Sequence, residues 1–190
     1  MSSANTKRCA VFLDRDGTLC EEMGYLNHIS RLKIFPFAAE CVRRLNDAGW
    51  PVIVITNQSG VARKFFPESL VMQVHDNIAN ELAGQGARID AFYYCPHQLA
   101  DRCDCRKPLP GLIQRAATDH SLEPKSSWMV GDRYADVEMG HAAGARTALV
   151  LTGYGRGDYD LHHGEWPRQP DCVADDLRGV VDRILEGKHE

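Results

Sequence analysis

An α/β fold built on a doubly wound, mostly parallel sheet is the class this sequence predicts. Three observations carry that expectation. Short runs rich in Val, Ile and aromatic residues alternate with segments of helical spacing. Runs such as Val52–Ile55 are apolar throughout, which suits strands covered on both faces. One helical segment, Pro67–Ala83, begins at Pro and stops at Gly84, and others carry a Pro before them or a Gly after them.

The elements follow in order. The first strand is expected over Cys9–Leu13. A long irregular connection, Cys20–Phe35, leads to a helix over Phe37–Ala48, where Cys41, Val42 and Leu45 share one face and Gly49 ends the run. Val52–Ile55 is the second strand. A helix over Pro67–Ala83 has Pro at its start and Gly84 after it. Ile89–Cys95 is the third strand, and a helix over Gly111–His120 follows Pro110. Trp128–Val130 is the fourth strand, with a helix over Ala135–Ala143 ending at Gly144. Thr147–Leu151 is the fifth. Gly153–Pro170, rich in Gly, Pro, His and Asp, reads as a second irregular segment that includes His162 and His163. A weaker strand, Cys172–Val173, and a helix over Asp175–Leu185 complete the order.

The 190 residues suffice for one domain, 1–190, with a loop at 95–107 inserted in it. A net charge of −4 argues against nucleic-acid or anionic-membrane binding. No apolar run approaches the ~20 residues of a membrane span, and MSSANTKR lacks the apolar core of a signal peptide. The expectation is a cytoplasmic monomer whose partner is a small molecule.

Chemistry gathers where the strands end. The run Val11-Phe12-Leu13 stops at Asp14, and Asp16 follows two residues later. The second strand delivers Thr56-Asn57-Gln58-Ser59-Gly60, and the fourth delivers Gly131-Asp132-Arg133, with Asp136 beyond. Arg106-Lys107-Pro108 sits just before a helix. In a doubly wound sheet the carboxyl ends of the strands share one rim, where ligands bind. Asp14 and Asp132 suit a hard cation such as Mg²⁺, which takes few carboxylates together with phosphate and water. Thr56, Asn57 and Lys107 offer donors to a phosphoryl group. Arg63, Lys64, Arg106 and Arg133 are cations for a further anionic group.

A second cluster is Cys95, His97, Cys103 and Cys105, spaced C-x-H-x5-C-x-C. Three thiolates and an imidazole match a closed tetrahedral Zn²⁺ site, the structural kind. Because Cys105 directly precedes Arg106-Lys107, the metal would fix the loop that aims this pair at the rim. Cys9, Cys20, Cys41 and Cys172 are scattered and read as small apolar side chains or free thiols.

These motifs, DRDGT at Asp14–Thr18, the strand-end Thr56, Lys107, and GDRYAD at Gly131–Asp136, make the chain resemble the haloacid dehalogenase superfamily of phosphohydrolases over roughly Ala10 to Leu151. The resemblance implies a Rossmann-like sheet, here without a large cap domain because Cys20–Phe35 is short. It implies that Asp14 attacks phosphorus, that Asp16 protonates the leaving oxygen and then deprotonates water, and that the Asp16 main-chain carbonyl completes a Mg²⁺ site with Asp14 and Asp132. Crowding by negative charge is expected to keep the proton on Asp16. Asp136 is open between the metal's surroundings and a helix cap.

Two branches of the superfamily carry a zinc loop. TNQSGVAR at Thr56–Arg63, Gly24-Tyr25-Leu26 and Cys95-Pro96-His97 resemble the D-glycero-D-manno-heptose 1,7-bisphosphate phosphatases of cell-surface sugar synthesis. The short gap between His97 and Cys103 resembles the histidinol-phosphate phosphatases. The number of rim cations favours the sugar bisphosphate, and the resemblance to that branch implies removal of its 7-phosphate. Tyr25 is either a sugar contact or a core residue, and Glu21 and Glu22 read as solvent-facing acids. A non-catalytic phosphate-binding module on the same fold is the contrasting class, and the presence of both Asp14 and Asp16 speaks against it.

Overall fold

The computed structural model describes residues 8–187. Residues 1–7, on which the reading of the N-terminus rests, lie outside the described residues. Six parallel strands form one sheet: β1 Val11–Leu13, β2 Val52–Asn57, β3 Ala91–Cys95, β4 Trp128–Gly131, β5 Arg146–Val150 and β6 Cys172–Ala174. Their order is β3-β2-β1-β4-β5-β6. The chain winds outward from β1 in one direction through β2 and in the other through β4, so the switch point lies between β1 and β4. Leu13 pairs with Val54 on one side and Val130 on the other, which brings the ends of three strands to one rim.

The strand residues alternate between two cores. Val11, Leu13, Val52, Val54 and Val130 face one, and Phe12, Ile53, Ile55 and Met129 the other. Burial on both faces explains why these strands read as unbroken apolar runs. Helices α1 Ala38–Asp47, α2 Glu68–Ala83 and α6 Leu177–Glu186 contribute to the first core. Helices α3 Gly111–Asp119 and α4 Tyr134–Ala143 contribute to the second. Cys20 and Cys41 are buried, and all seven cysteines are free thiols.

Two segments repay comparison with the sequence. Cys20–Phe35 is irregular apart from a 3-10 turn at Ile29–Arg31. It is held by the Arg31 guanidinium, which donates to the carbonyls of Tyr25 (3.0 Å) and Met23 (3.2 Å) and to Asn27 Oδ1 (2.9 Å). Gly153–Pro170, in contrast, is not irregular: Gly155–His162 forms α5, followed by a 3-10 turn at His163–Glu165. Gly155 and Gly157 lower its helix propensity and hid it. Tertiary stacking compensates, with Trp166 on Tyr134 (4.4 Å between centroids) and His163 on Tyr159 (4.4 Å). No helix among the described residues is long and apolar enough to cross a membrane.

Candidate active site

The rim opens into a cavity of about 270 Å³, lined by Asp14, Asp16, Thr56, Asn57, Lys107 and Asp132 among others. Arg106 and Arg133 also reach it. Arg63 and Lys64 do not: both are exposed on the turn after β2 and do not line the cavity. Three further lining residues are Glu22, Ala135 and Asp136. Glu22, read from sequence as solvent-facing, is half-buried here, and burial raises its carboxyl pKa. Glu21 pairs with Lys33 at 3.2 Å, and Tyr25 is exposed, packed edge-on against Phe65 at 4.7 Å.

At the centre, Lys107 Nζ lies 2.7 Å from Asp14 Oδ1 and 2.6 Å from Asp136 Oδ1. All three residues are buried. Burial disfavours the Lys107 charge, yet Asp136 and Asp14 outweigh it and raise the lysine's pKa. Asp136 has a second role, accepting from the Arg133 amide (3.0 Å) at the start of α4. It is therefore a helix cap and the lysine's counter-ion together. Lys107 is held in place through Asn57, whose Oδ1 accepts from the Lys107 amide at 3.1 Å.

The acids are crowded. One ligand oxygen from each of Asp14, Asp132 and Asp136 falls within 4.8 Å of the others. Burial pushes Asp14 up to about 7 against the opposing Lys107 charge, with help from Asp136 and Asp16, and burial with the Asp14 and Asp136 charges pushes Asp132 up to about 8. The residues fit a cation. Asp132 Oδ1 is buried with no hydrogen-bond partner among the described residues. Its Oδ2 accepts from the Tyr154 amide at 2.8 Å. The backbone closes tightly around it: a Cβ on either Gly17 or Gly153 would sit 2.1 Å from Asp132 Oδ2. Both hydrogen bonds to the Asp14 carboxylate, from the Arg15 amide (2.7 Å) and Lys107, fall on Oδ1. No hydrogen bond among the described residues falls on its Oδ2.

Asp16 has the neighbouring acids Asp14 and Glu22 acting on it, and a cation as well. The Arg15 guanidinium, itself 2% exposed, grips both Asp16 oxygens at 2.8–3.2 Å. Gln58 Nε2 donates to Asp16 Oδ2 at 2.9 Å. The buried Arg15 charge thus offsets part of the repulsion between Asp14 and Asp16.

Cys95, His97, Cys103 and Cys105 converge behind Lys107. Sγ of Cys95 is 3.2 Å from that of Cys105 and 3.6 Å from that of Cys103, and His97 Nδ1 is 3.3 Å from Cys105 Sγ. Tetrahedral Zn–S bonds of about 2.3 Å set sulfurs roughly 3.8 Å apart, so this set can close on a metal with a small expansion. Burial works against the Cys103 thiolate, but sulfur hydrogen bonds from Cys105 and Cys95 pull it to about 7. The knot is tied to the rim by the Gln58 amide, which donates to the Cys95 carbonyl (2.7 Å), and by Arg106, which donates to the His97 carbonyl (3.1 Å).

Arg133 stacks on Tyr154 at 4.4 Å and pairs with Asp158 of α5 at 3.0 Å. The helix absent from the sequence reading thus positions one of the rim cations. A further cavity of about 420 Å³ shares Glu22 with the first and is also lined by Phe35, Gly153 and Tyr154.

Comparison with known proteins agrees with this geometry. A family model described as HAD-hydrolase-like matches residues 104–180. A D-glycero-D-manno-heptose-1,7-bisphosphate 7-phosphatase of Thermosynechococcus vestitus is 39% identical, covering 93% of this chain and 95% of that protein. A D-glycero-beta-D-manno-heptose-1,7-bisphosphate 7-phosphatase of Pasteurella multocida is 38% identical over 76% of this chain and 82% of its own length. The crystal structure of D,D-heptose 1,7-bisphosphate phosphatase from B. bronchiseptica, complexed with magnesium and phosphate, superposes with a TM-score of 0.87 at 33% identity, covering 94% of this chain and 99% of that one. Similarity of this extent, over a rim that assembles the DRDGT and GDRYAD acids around Lys107, means that the chain belongs to the haloacid dehalogenase-like heptose-1,7-bisphosphate 7-phosphatase family.

Proposed function

We propose that this protein is a Mg²⁺-dependent phosphatase that removes the 7-phosphate of D-glycero-D-manno-heptose 1,7-bisphosphate in heptose synthesis for cell-surface polysaccharide. The observation that carries the reading is near full-length similarity to 7-phosphatases, together with a buried Lys107 between Asp14 and Asp136. Free thiols throughout fit a reducing cytoplasm.

The residues divide the work. Asp14, Asp132 and the Asp16 carbonyl would hold Mg²⁺, which offsets the acid charge and supplies a Lewis acid beside the phosphoryl oxygens. Thr56, Asn57 and Lys107 bind those oxygens. The Asp14 carboxylate attacks phosphorus, giving an aspartyl-phosphate as the C7 oxygen departs with a proton from Asp16. Asp16 then takes a proton from water, the water oxygen attacks the phosphorus, and inorganic phosphate leaves with Asp14 restored. Arg106 and Arg133 meet the second phosphate, and Arg63 would reach it only by a loop movement. Cys95, His97, Cys103 and Cys105 would hold Zn²⁺, which would fix the Arg106-Lys107 turn.

Phosphate release with Mg²⁺ from both anomers of heptose 1,7-bisphosphate, fructose 1,6-bisphosphate and histidinol phosphate tests this. A heptose bisphosphate is expected to lead by tens of times in kcat/KM. A lead for histidinol phosphate would mean that the short His97–Cys103 gap marks the substrate.

A further inference from the structure

Gln58, within the Thr56–Arg63 motif, has no part in the scheme above. Gln58 is 6% exposed and does not line the cavity. Its Nε2 is 2.9 Å from Asp16 Oδ2 and 3.0 Å from Thr56 Oγ1. An amide nitrogen carries two hydrogens, and here each goes to a different residue of the rim.

We propose that Gln58 is a positioning residue that holds the Asp16 carboxylate and the Thr56 hydroxyl in mutual register; this rests on the phosphatase reading. Two consequences follow from the bonding. Thr56 Oγ1 accepts from Gln58, so its own O–H is released to donate into the cavity, towards a phosphoryl oxygen. Asp16 Oδ2 accepts too, so the carboxylate cannot swing about its side chain without losing a buried bond. Arg15 cannot do this alone. It neighbours Asp16 in the chain and belongs to the same turn, whereas Gln58 follows the end of β2, 42 residues away.

Gln58 is itself anchored. Its main-chain N–H donates to the Cys95 carbonyl at 2.7 Å, and its carbonyl accepts from the Val61 amide at 3.2 Å. The first residue of the Cys/His knot is therefore one backbone hydrogen bond from the residue that holds Asp16. The knot reaches the chemistry by two routes, through Lys107 and through Gln58.

The test separates proton delivery from phosphate binding. Gln58→Met and Gln58→Glu keep the side-chain length and lack the two N–H donors. Each is assayed with Mg²⁺ on heptose 1,7-bisphosphate, whose alkoxide must be protonated as it leaves, and on p-nitrophenyl phosphate, whose phenolate leaves without help. The kcat/KM for the sugar phosphate is expected to fall at least about tenfold further than that for the aryl phosphate, a fraction of the 10²–10⁴ typical of general acid catalysis. Equal losses on both substrates, or none, in either folded variant would overturn the positioning role. A crystal structure of the wild-type enzyme with Mg²⁺ and phosphate in which the Gln58 amide faces away from Asp16 would do the same. Absence of sugar-phosphate turnover by the wild type would instead sink the phosphatase reading.

Discussion

Lys107 Nζ sits 2.7 Å from Asp14 Oδ1, with both side chains largely buried at the floor of the rim cavity and Asp136 completing the triad. A lysine held this way stays charged, and it orients the one carboxylate that the scheme requires as a nucleophile. Lys107→Met keeps the stem and removes the charge. It is expected to lower kcat by about 10²–10³, the scale for losing one preorganised donor to a developing charge. A Met variant within a factor of a few of wild type in steady-state assays would make the ion pair merely structural.

Asp14 and Asp16 should separate under substitution. Asp14→Asn removes the nucleophile, and turnover is expected to fall by 10⁴ or more, on the order seen when a nucleophile is deleted. Asp16→Asn is expected to lower kcat by about 10²–10⁴ while phosphate still binds. It should also destabilise the fold by about 3 kcal/mol, since Arg15 is buried and loses its ion partner. Thermal melts run beside the kinetics distinguish the two effects. An Asp16→Asn protein with unchanged kcat would exclude a proton-transfer role.

Cys103→Ser probes the metal knot. Elemental analysis of the purified protein is expected to show zinc falling from one equivalent towards zero. The kcat should drop with it, because the Arg106-Lys107 turn and the Cys95–Gln58 link both start from this cluster. Retention of a full equivalent would mean that the ligand set has been misread.

His75 carries a pH dependence. It is buried against Phe92 (4.6 Å between centroids), and neither ring nitrogen has a hydrogen-bond partner among the described residues. Burial, then the Arg15 charge, lower its pKa from 6.5 to about 3. The unfolded state therefore binds more protons between those values. Stability contributed by the neutral ring is present above about 6.5 and is lost as pH falls towards about 3. His75→Phe should raise stability by about 1 kcal/mol or more at neutral pH, as it leaves no buried nitrogen unbonded. It should also flatten the acid side of a Tm-against-pH curve. An unchanged acid limb would remove His75 from that account.

What was legible in the sequence was local. An apolar strand that ends in Asp14 and Asp16, a strand end reading Thr56-Asn57, and four candidate metal ligands within eleven residues are patterns of neighbours along the chain, and the shared carboxyl ends of parallel strands place the first two at one rim. Apart from α5, element types followed for the same reason, with boundaries correct to within about two residues, since short unbroken apolar runs and 3.6-residue spacing survive in a linear string. The tertiary structure alone decided what partners each side chain took. Lys107 meets Asp136 from 29 residues away, Gln58 reaches Asp16 from 42, and Arg133 is held by a helix whose two glycines concealed it until Trp166 stacked on Tyr134. Such contacts are set by how layers pack, and packing depends on shape and distance across the fold rather than on spacing along the chain.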